Sequence, residues 1–371
     1  MTTTSSRIFN FSAGPAVLPL EVVQTLAEAL PEFQNTRLGL MEMSHRSAAF
    51  DAICEGAKDR LRRLLNVPAD YEILLLQGGA SLQFYMTALN LTAPDGKVDF
   101  LMTGTWSSKA ITEAARVCDT SRAWDGADFG HTRVPKPGEY QVREGAEYLH
   151  YTSNNTIYGT QFHALPDAGE AQLVADLSSD ICSRPIDVSA HALLYAGAQK
   201  NLGPSGVTAI ILSPWAIAQS RTAGQSRPGG LPSMLDYGLM VDKKSLFNTP
   251  NTFGIYALER VLAWVEDQGG LSAMEDRNTH KANLLYSELD RTAFWEPHAT
   301  LESRSQMNIT WRLANPDLVP AFLSEAATAG LQGLKGHRSV GGIRASTYNA
   351  CPPESVQALV SFMQEFERTH G

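Results

Sequence analysis

LLYAGAQKNLGP, residues 193–204, runs from an apolar stretch into a small-residue loop closed by Gly203 and Pro204, and it sets one lysine, Lys200, just past the stretch. A short continuous apolar run bounded by Gly and Pro reads as a strand buried on both faces. Lys200 therefore sits where the strand emerges, partly shielded from water. Desolvation disfavours the charged ammonium, and a neutral lysine amine is a nucleophile toward carbonyl compounds. From this segment alone a solvated loop lysine fits equally well.

AQLVADLSSD, residues 171–180, places Asp176 in the same way, at the end of an apolar strand-like run with two serines close behind. A strand-terminal Asp before Ser commonly serves as a helix cap or turn carboxylate. Two strand ends can also deliver Asp176 and Lys200 to one site. A pyridoxal phosphate site needs that pair, a lysine for the aldehyde and a carboxylate that keeps the pyridine nitrogen protonated.

Six further stretches recur in order around these two: SAGPA (12–16), SHRS (44–47), QGGASLQF (77–84), TGTWS (103–107), FNTPNTF (247–253) and GHRSVGGIRASTYNA (336–350). With ADLSSDICSRPID (175–187) and YAGAQKNLGPSG (195–206), the ordered set resembles the phosphoserine aminotransferases, a family of class V pyridoxal-phosphate-dependent aminotransferases. The likeness extends from the N-terminal arm to within about twenty residues of the C-terminus. It implies fold type I, the aspartate-aminotransferase-like α/β architecture, with a large domain around a mainly parallel seven-stranded sheet and a smaller α+β C-terminal domain. The expected boundaries are an arm over 1–20, a large domain over 21–265 and a small domain over 266–371.

The resemblance also implies roles. Lys200 becomes the lysine that binds pyridoxal 5'-phosphate as a Schiff base, and Asp176 the partner of the pyridinium nitrogen. Trp106 stacks on the ring, against the alternative of a core tryptophan, and Thr156 bonds near the phenolic oxygen. The phosphate is expected on the backbone at Ala80 and Ser81 and on Gln199, with Asn248 and Thr249 reaching in from the second subunit of a homodimer. In QGGASL a Gly-rich turn follows a strand and precedes a helix, which independently reads as an anion cradle. For the substrate, Arg344 is expected on the α-carboxylate, and His337 and Arg338 with His45 and Arg46 at the phosphate end, some from the partner subunit. Ser81 stands where some relatives carry an arginine, so the number of cations on the phosphate is left open.

The implied reaction interconverts O-phospho-L-serine plus 2-oxoglutarate with 3-phosphohydroxypyruvate plus L-glutamate in serine biosynthesis. A phosphorylated hydroxythreonine of pyridoxal phosphate biosynthesis is a further bacterial substrate of the family. Rival readings are a serine- or alanine-using transaminase, a cysteine desulfurase, and a catalytically silent cofactor-binding protein. None of Cys54, Cys118, Cys182 and Cys351 sits in a convincing catalytic loop, and intact Lys200 and Asp176 argue against a silent protein.

Composition bounds the rest. A chain of 371 residues with 43% hydrophobic content can bury a large core. A net charge of −9 argues against a general nucleic-acid surface, so any anion site is local. No run of roughly eighteen apolar residues predicts a membrane span, and MTTTSSR lacks the apolar core of a signal peptide. A cytoplasmic location is expected, with reduced thiols and no metal, since the four cysteines show no CxxC spacing. The first seven residues read as disordered and the Gly/Pro-marked segment after them as an extended arm, with a helix from Leu20.

Overall fold

The computed structural model describes residues 7–371, so the disorder expected for the first seven residues falls, Arg7 aside, outside the described residues. The chain opens with a short strand β1 (Phe9–Asn10) and two helices, α1 (Leu20–Ala29) and α2 (Ala48–Leu64). Strands and helices then alternate: β2 (Glu72–Leu76), α3 (Gly79–Leu91), β3 (Lys97–Met102), α4 (Thr105–Ala114), β4 (Asp119–Asp125), β5 (Ala146–Thr152), β6 (Gln172–Asp176), β7 (Leu193–Gly197), β8 (Thr208–Leu212) and α5 (Pro214–Ser226). Helices α6 (Tyr237–Asp242), α7 (Thr252–Asp267) and α8 (Gly270–Leu289) lead into a C-terminal set of β9 (Trp295–Pro297), β10 (Asn308–Leu313), α9 (Val319–Thr328), β11 (Leu331–Gln332), β12 (Ile343–Ser346) and α10 (Pro353–His370).

Seven strands form the main sheet in the order β2-β8-β7-β6-β5-β3-β4. All are parallel except β8, which pairs antiparallel with β2 and with β7. The unbroken apolar runs follow from cover on both faces. Successive residues of β7 show it, because side chains alternate across a strand. Leu194 and Ala196 join a core with helices α2 and α7, whereas Leu193 and Tyr195 join one with α3, α4 and α5. Truncating Leu194 to Ala would cost about 2–5 kcal/mol. The seventh strand, β4, carries DTSRAWD on the sheet edge, where a half-solvated face needs no apolar run.

A third core is built from α9, α10 and the antiparallel sheet β12-β10-β9. Helix α8 serves two cores: Leu271 and Met274 pack in the one with α7, and Ala282, Leu285 and Leu289 in the C-terminal one. The N-terminal arm also belongs to the C-terminal core. β1 pairs in parallel with β11, Phe9 beside Leu331, and fully buried Phe11 packs among the same residues. The arm then turns across the main sheet, with Ala16 N–H donating to Gln199 O at 2.9 Å. No helix among the described residues is long and apolar enough to cross a membrane.

Candidate active site

Five of the parallel strands end toward one cavity of about 330 Å³, placed at the carboxyl edge of the sheet as doubly wound topology requires. β6 ends on Asp176, β7 leads to Lys200 and β3 to Trp106. The loop after β5 brings Thr156, and the turn after β2 brings Gly79 to Ser81. Arg344 reaches the cavity from β12 and His337 from the loop before it.

Lys200 Nζ donates to Thr156 Oγ1 at 2.7 Å and lies 5.7 Å from the centre of the Trp106 ring. Burial pulls its pKa down from 10.5 to about 8, with Asp176 partly restoring affinity for the proton and Arg344 opposing it. About a tenth of the amine is therefore neutral at pH 7, against well under a thousandth for an ordinary lysine. Asp176 is 5% exposed, and its Oδ1 accepts from the Ser178 N–H at 2.9 Å. Burial raises its pKa, while Ser178 and the charge of Lys200 pull it back. A buried carboxylate with so few donors is suited to a cationic partner.

The residues fit pyridoxal phosphate on several independent features. Helix α3 begins at Gly79 behind Gly78, which has φ +96° and provides no side-chain cap, so its first-turn N–H groups are open to an anion. Gly79 itself has φ +64°, and a Cβ built there meets nothing within 4 Å, which leaves the space before those N–H groups clear. Trp106 Nε1, Thr152 Oγ1 and Arg344 Nε are buried and without a hydrogen-bond partner, so the cavity wall still has polar groups to satisfy. No group of three or more His, Cys, Asp or Glu among the described residues could hold a metal ion.

Of the residues singled out from sequence, Ala80, Ser81, Trp106, Thr156, Asp176, Gln199, Lys200, His337 and Arg344 line this cavity. His45, Arg46, Asn248, Thr249 and Arg338 do not. Arg338 is exposed beside His337. Thr249 is held on the chain's own surface, where its carbonyl accepts from Gln77 Nε2 at 3.1 Å. His45 and Arg46 precede α2, with Arg46 exposed.

The cavity also has walls that sequence reading missed, notably Ala13 and Gly14 of the arm, Asn154, Ser178 and Ser179. A Cβ on Gly14 would sit 3.6 Å from Lys200 Cγ, so the arm lies directly on the lysine stem. Ser178 and Ser179 stood inside the quoted DLSSD, and their signal was present. Arg344 Nη1 donates to Thr156 O at 3.2 Å, tying the C-terminal unit to the loop that faces Lys200.

The sequence model of Aminotransferase class-V matches residues 8–359. The phosphoserine aminotransferase of Geobacillus kaustophilus is 51% identical over 364 residues, which cover 98% of this chain and 99% of that protein. Among solved structures, the phosphoserine aminotransferase of Bacillus circulans subsp. alkalophilus superposes with a TM-score of 0.94 at 46% identity, covering 99% of this chain and all of that one. The PLP-bound phosphoserine aminotransferase of Trichomonas vaginalis gives a TM-score of 0.90 at 36% identity, over 96% of this chain and 100% of that one. A cavity with a low-pKa lysine opposite a buried carboxylate thus sits in a chain matched along nearly its whole length, and this protein belongs to the aminotransferase class-V family.

Proposed function

We propose that this chain is a pyridoxal-phosphate-dependent transaminase that interconverts O-phospho-L-serine plus 2-oxoglutarate with 3-phosphohydroxypyruvate plus L-glutamate, acting in serine biosynthesis in the cytoplasm. The observation that carries the reading is the cavity itself, which the Lys200 amine and the Asp176 carboxylate line together with the Arg344 guanidinium and the His337 imidazole. Close relatives named phosphoserine aminotransferase support the substrate.

When bound, pyridoxal phosphate supplies the electron sink for charge developing at the substrate Cα. The chain's own residues do the rest. Asp176 would hold the pyridine nitrogen protonated, Trp106 would hold the ring, and Thr156 fixes the amine of Lys200 through their hydrogen bond. The first-turn N–H groups at Ala80 and Ser81, with Gln199, hold the phosphate. Arg344 would grip the α-carboxylate and thereby orient the Cα–H bond, and the Lys200 amine would take that proton and return it as a general base and acid. His337 and Arg338 receive the side-chain anion, phosphate or carboxylate, so both half-reactions use one pocket.

The enzyme works as a homodimer whose second copy contributes His45, Arg46, Asn248 and Thr249 to each site. Two exposed apolar residues flank those four. Met41, 69% exposed, lies just before His45 and Arg46, and Phe247, 40% exposed, lies just before Asn248. The two cores that flank the main sheet support a large unit over 21–265 and the C-terminal core a small unit over 266–371, with α8 reaching across that boundary and the arm proposed over 1–20 packed on the small unit through Phe9 and Phe11.

The test is a half-reaction of the holoenzyme with O-phosphoserine, glutamate, serine and alanine, followed through the cofactor's visible absorption. O-phosphoserine and glutamate should react far faster than serine and alanine. A rate for alanine equal to that for O-phosphoserine would replace this reading with a broader transaminase.

A further inference from the structure

The cations near the cavity form a cluster that no carboxylate neutralises. His337 and Arg344 line the cavity and Arg338 adjoins His337. A third cation after the two arginines, Lys109, stands on α4 one turn after Trp106, with its Nζ 4.8 Å from the centre of that ring. Trp106 is a cavity wall, so Lys109 holds a place at the rim. Like charge surrounds the His337 imidazole, whose pKa is held down by burial and then by Arg344, Arg338 and Lys109.

Several exposed cations elsewhere on this molecule are paired: Arg116, just past the end of α4, meets Glu113 at 2.9 Å, and Arg122 on β4 meets Asp125 at 2.7 Å. Among the described residues none of Lys109, His337, Arg338 and Arg344 has a carboxylate within 4.0 Å. In a chain of net charge −9, the three cations Lys109, Arg338 and Arg344, left without an acid around the His337 imidazole, are a local field that attracts an anion.

We propose that Lys109 is a specificity-determining residue, whose ammonium joins His337 and Arg338 in receiving the anionic end of the substrate side chain. The inference rests on the substrate reading given above. The exposed ammonium stands over the face of Trp106, from which it would reach an oxyanion at the rim. Being a solvated point charge, it acts through a field that salt weakens.

The experiment compares wild-type holoenzyme with Lys109→Met, Lys109→Arg and the control Arg116→Ala, using O-phosphoserine, glutamate and alanine. Lys109→Met should lower kcat/KM for O-phosphoserine about five- to tenfold and leave alanine within about twofold. Lys109→Arg should restore most of the loss, and Arg116→Ala should behave as wild type. The difference should shrink near 1 M salt, where the screening length is about 3 Å. Equal losses for all three substrates would assign Lys109 to holding Trp106 instead, and no loss would remove it from the site; either overturns the proposal. If wild-type enzyme ignores O-phosphoserine, the substrate reading fails, and Lys109 then stands or falls on glutamate against alanine, where the same selective loss is expected.

Discussion

The Lys200 ammonium and the Thr156 hydroxyl are joined by a 2.7 Å hydrogen bond, so the amine is already held in place before any ligand arrives. Its pKa of about 8 sets the pH at which it can attack an aldehyde. Protons leave the folded chain first: between about 8 and 10.5 an unfolded chain retains the proton that the folded one has lost, so this group favours the cofactor-free fold increasingly as pH rises through that window. Covalent capture of pyridoxal phosphate by cofactor-free protein should accelerate about tenfold per pH unit below about 8 and level off above it. Stopped-flow absorbance measures this, and a rate still climbing at pH 10 would show an unperturbed lysine. Borohydride reduction and peptide mapping should find the label on Lys200 alone, and Lys200→Ala should have no turnover.

Asp176→Asn keeps the shape of the side chain and removes its charge. An amide cannot hold a pyridinium proton, and transamination should fall by orders of magnitude while the fold survives. The expected result is a folded, cofactor-loaded, nearly inactive protein by circular dichroism and steady-state kinetics. A near-normal rate would identify some other carboxylate as the partner.

Arg344 and Arg338 should fail differently. One lost charge-assisted contact costs roughly 1.5–3 kcal/mol, which is about ten- to a hundredfold. Arg344→Ala should therefore depress O-phosphoserine, glutamate and alanine together, because all carry an α-carboxylate. Arg338→Ala should depress only the first two. Parallel losses in both variants would show that the side-chain subsite lies elsewhere.

Lys281 on α8 is fully buried and spends its three N–H bonds on the carbonyls of Thr347, Tyr348 and Cys351, at 2.8, 2.7 and 3.3 Å. An ammonium has three donors, so the fit is complete. Lys281→Met fills similar volume and leaves three buried carbonyls without that partner, at a cost of about 3 kcal/mol. The urea midpoint of the holoenzyme should fall accordingly, and an unchanged midpoint would show that other donors satisfy the loop.

Lys200 and Asp176 were legible because each ends an apolar run, and a strand buried on both faces writes itself into sequence as such a run. β4 was not, since at the sheet edge its polar residues carry no distinguishing pattern. Helix α2 was legible as well, since Ser47 at the end of SHRS accepts from the Phe50 N–H at 3.2 Å and Phe50, Ile53, Ala57 and Leu61 recur at helical spacing on the buried face. The contact of Gly14 with Lys200 spans nearly two hundred positions and has no local signature at all. Lys109 reads as any exposed helix lysine until the fold sets it over Trp106.

The pairing of β1 with β11 has a consequence for biosynthesis. Phe9 leaves the ribosome about 320 residues before its partner Leu331, an interval of roughly 16–64 s at 5–20 residues per second. Through that time the arm has no strand to join, and Ala13 and Gly14 lack the anchor that lays them on Lys200. The main sheet is complete once β8 is made, yet the cavity still lacks Arg344 and a fixed arm. A nascent or truncated chain can therefore own the reactive lysine without owning the enclosure around it, which is completed only when Leu331 anchors the arm and Arg344 is in place.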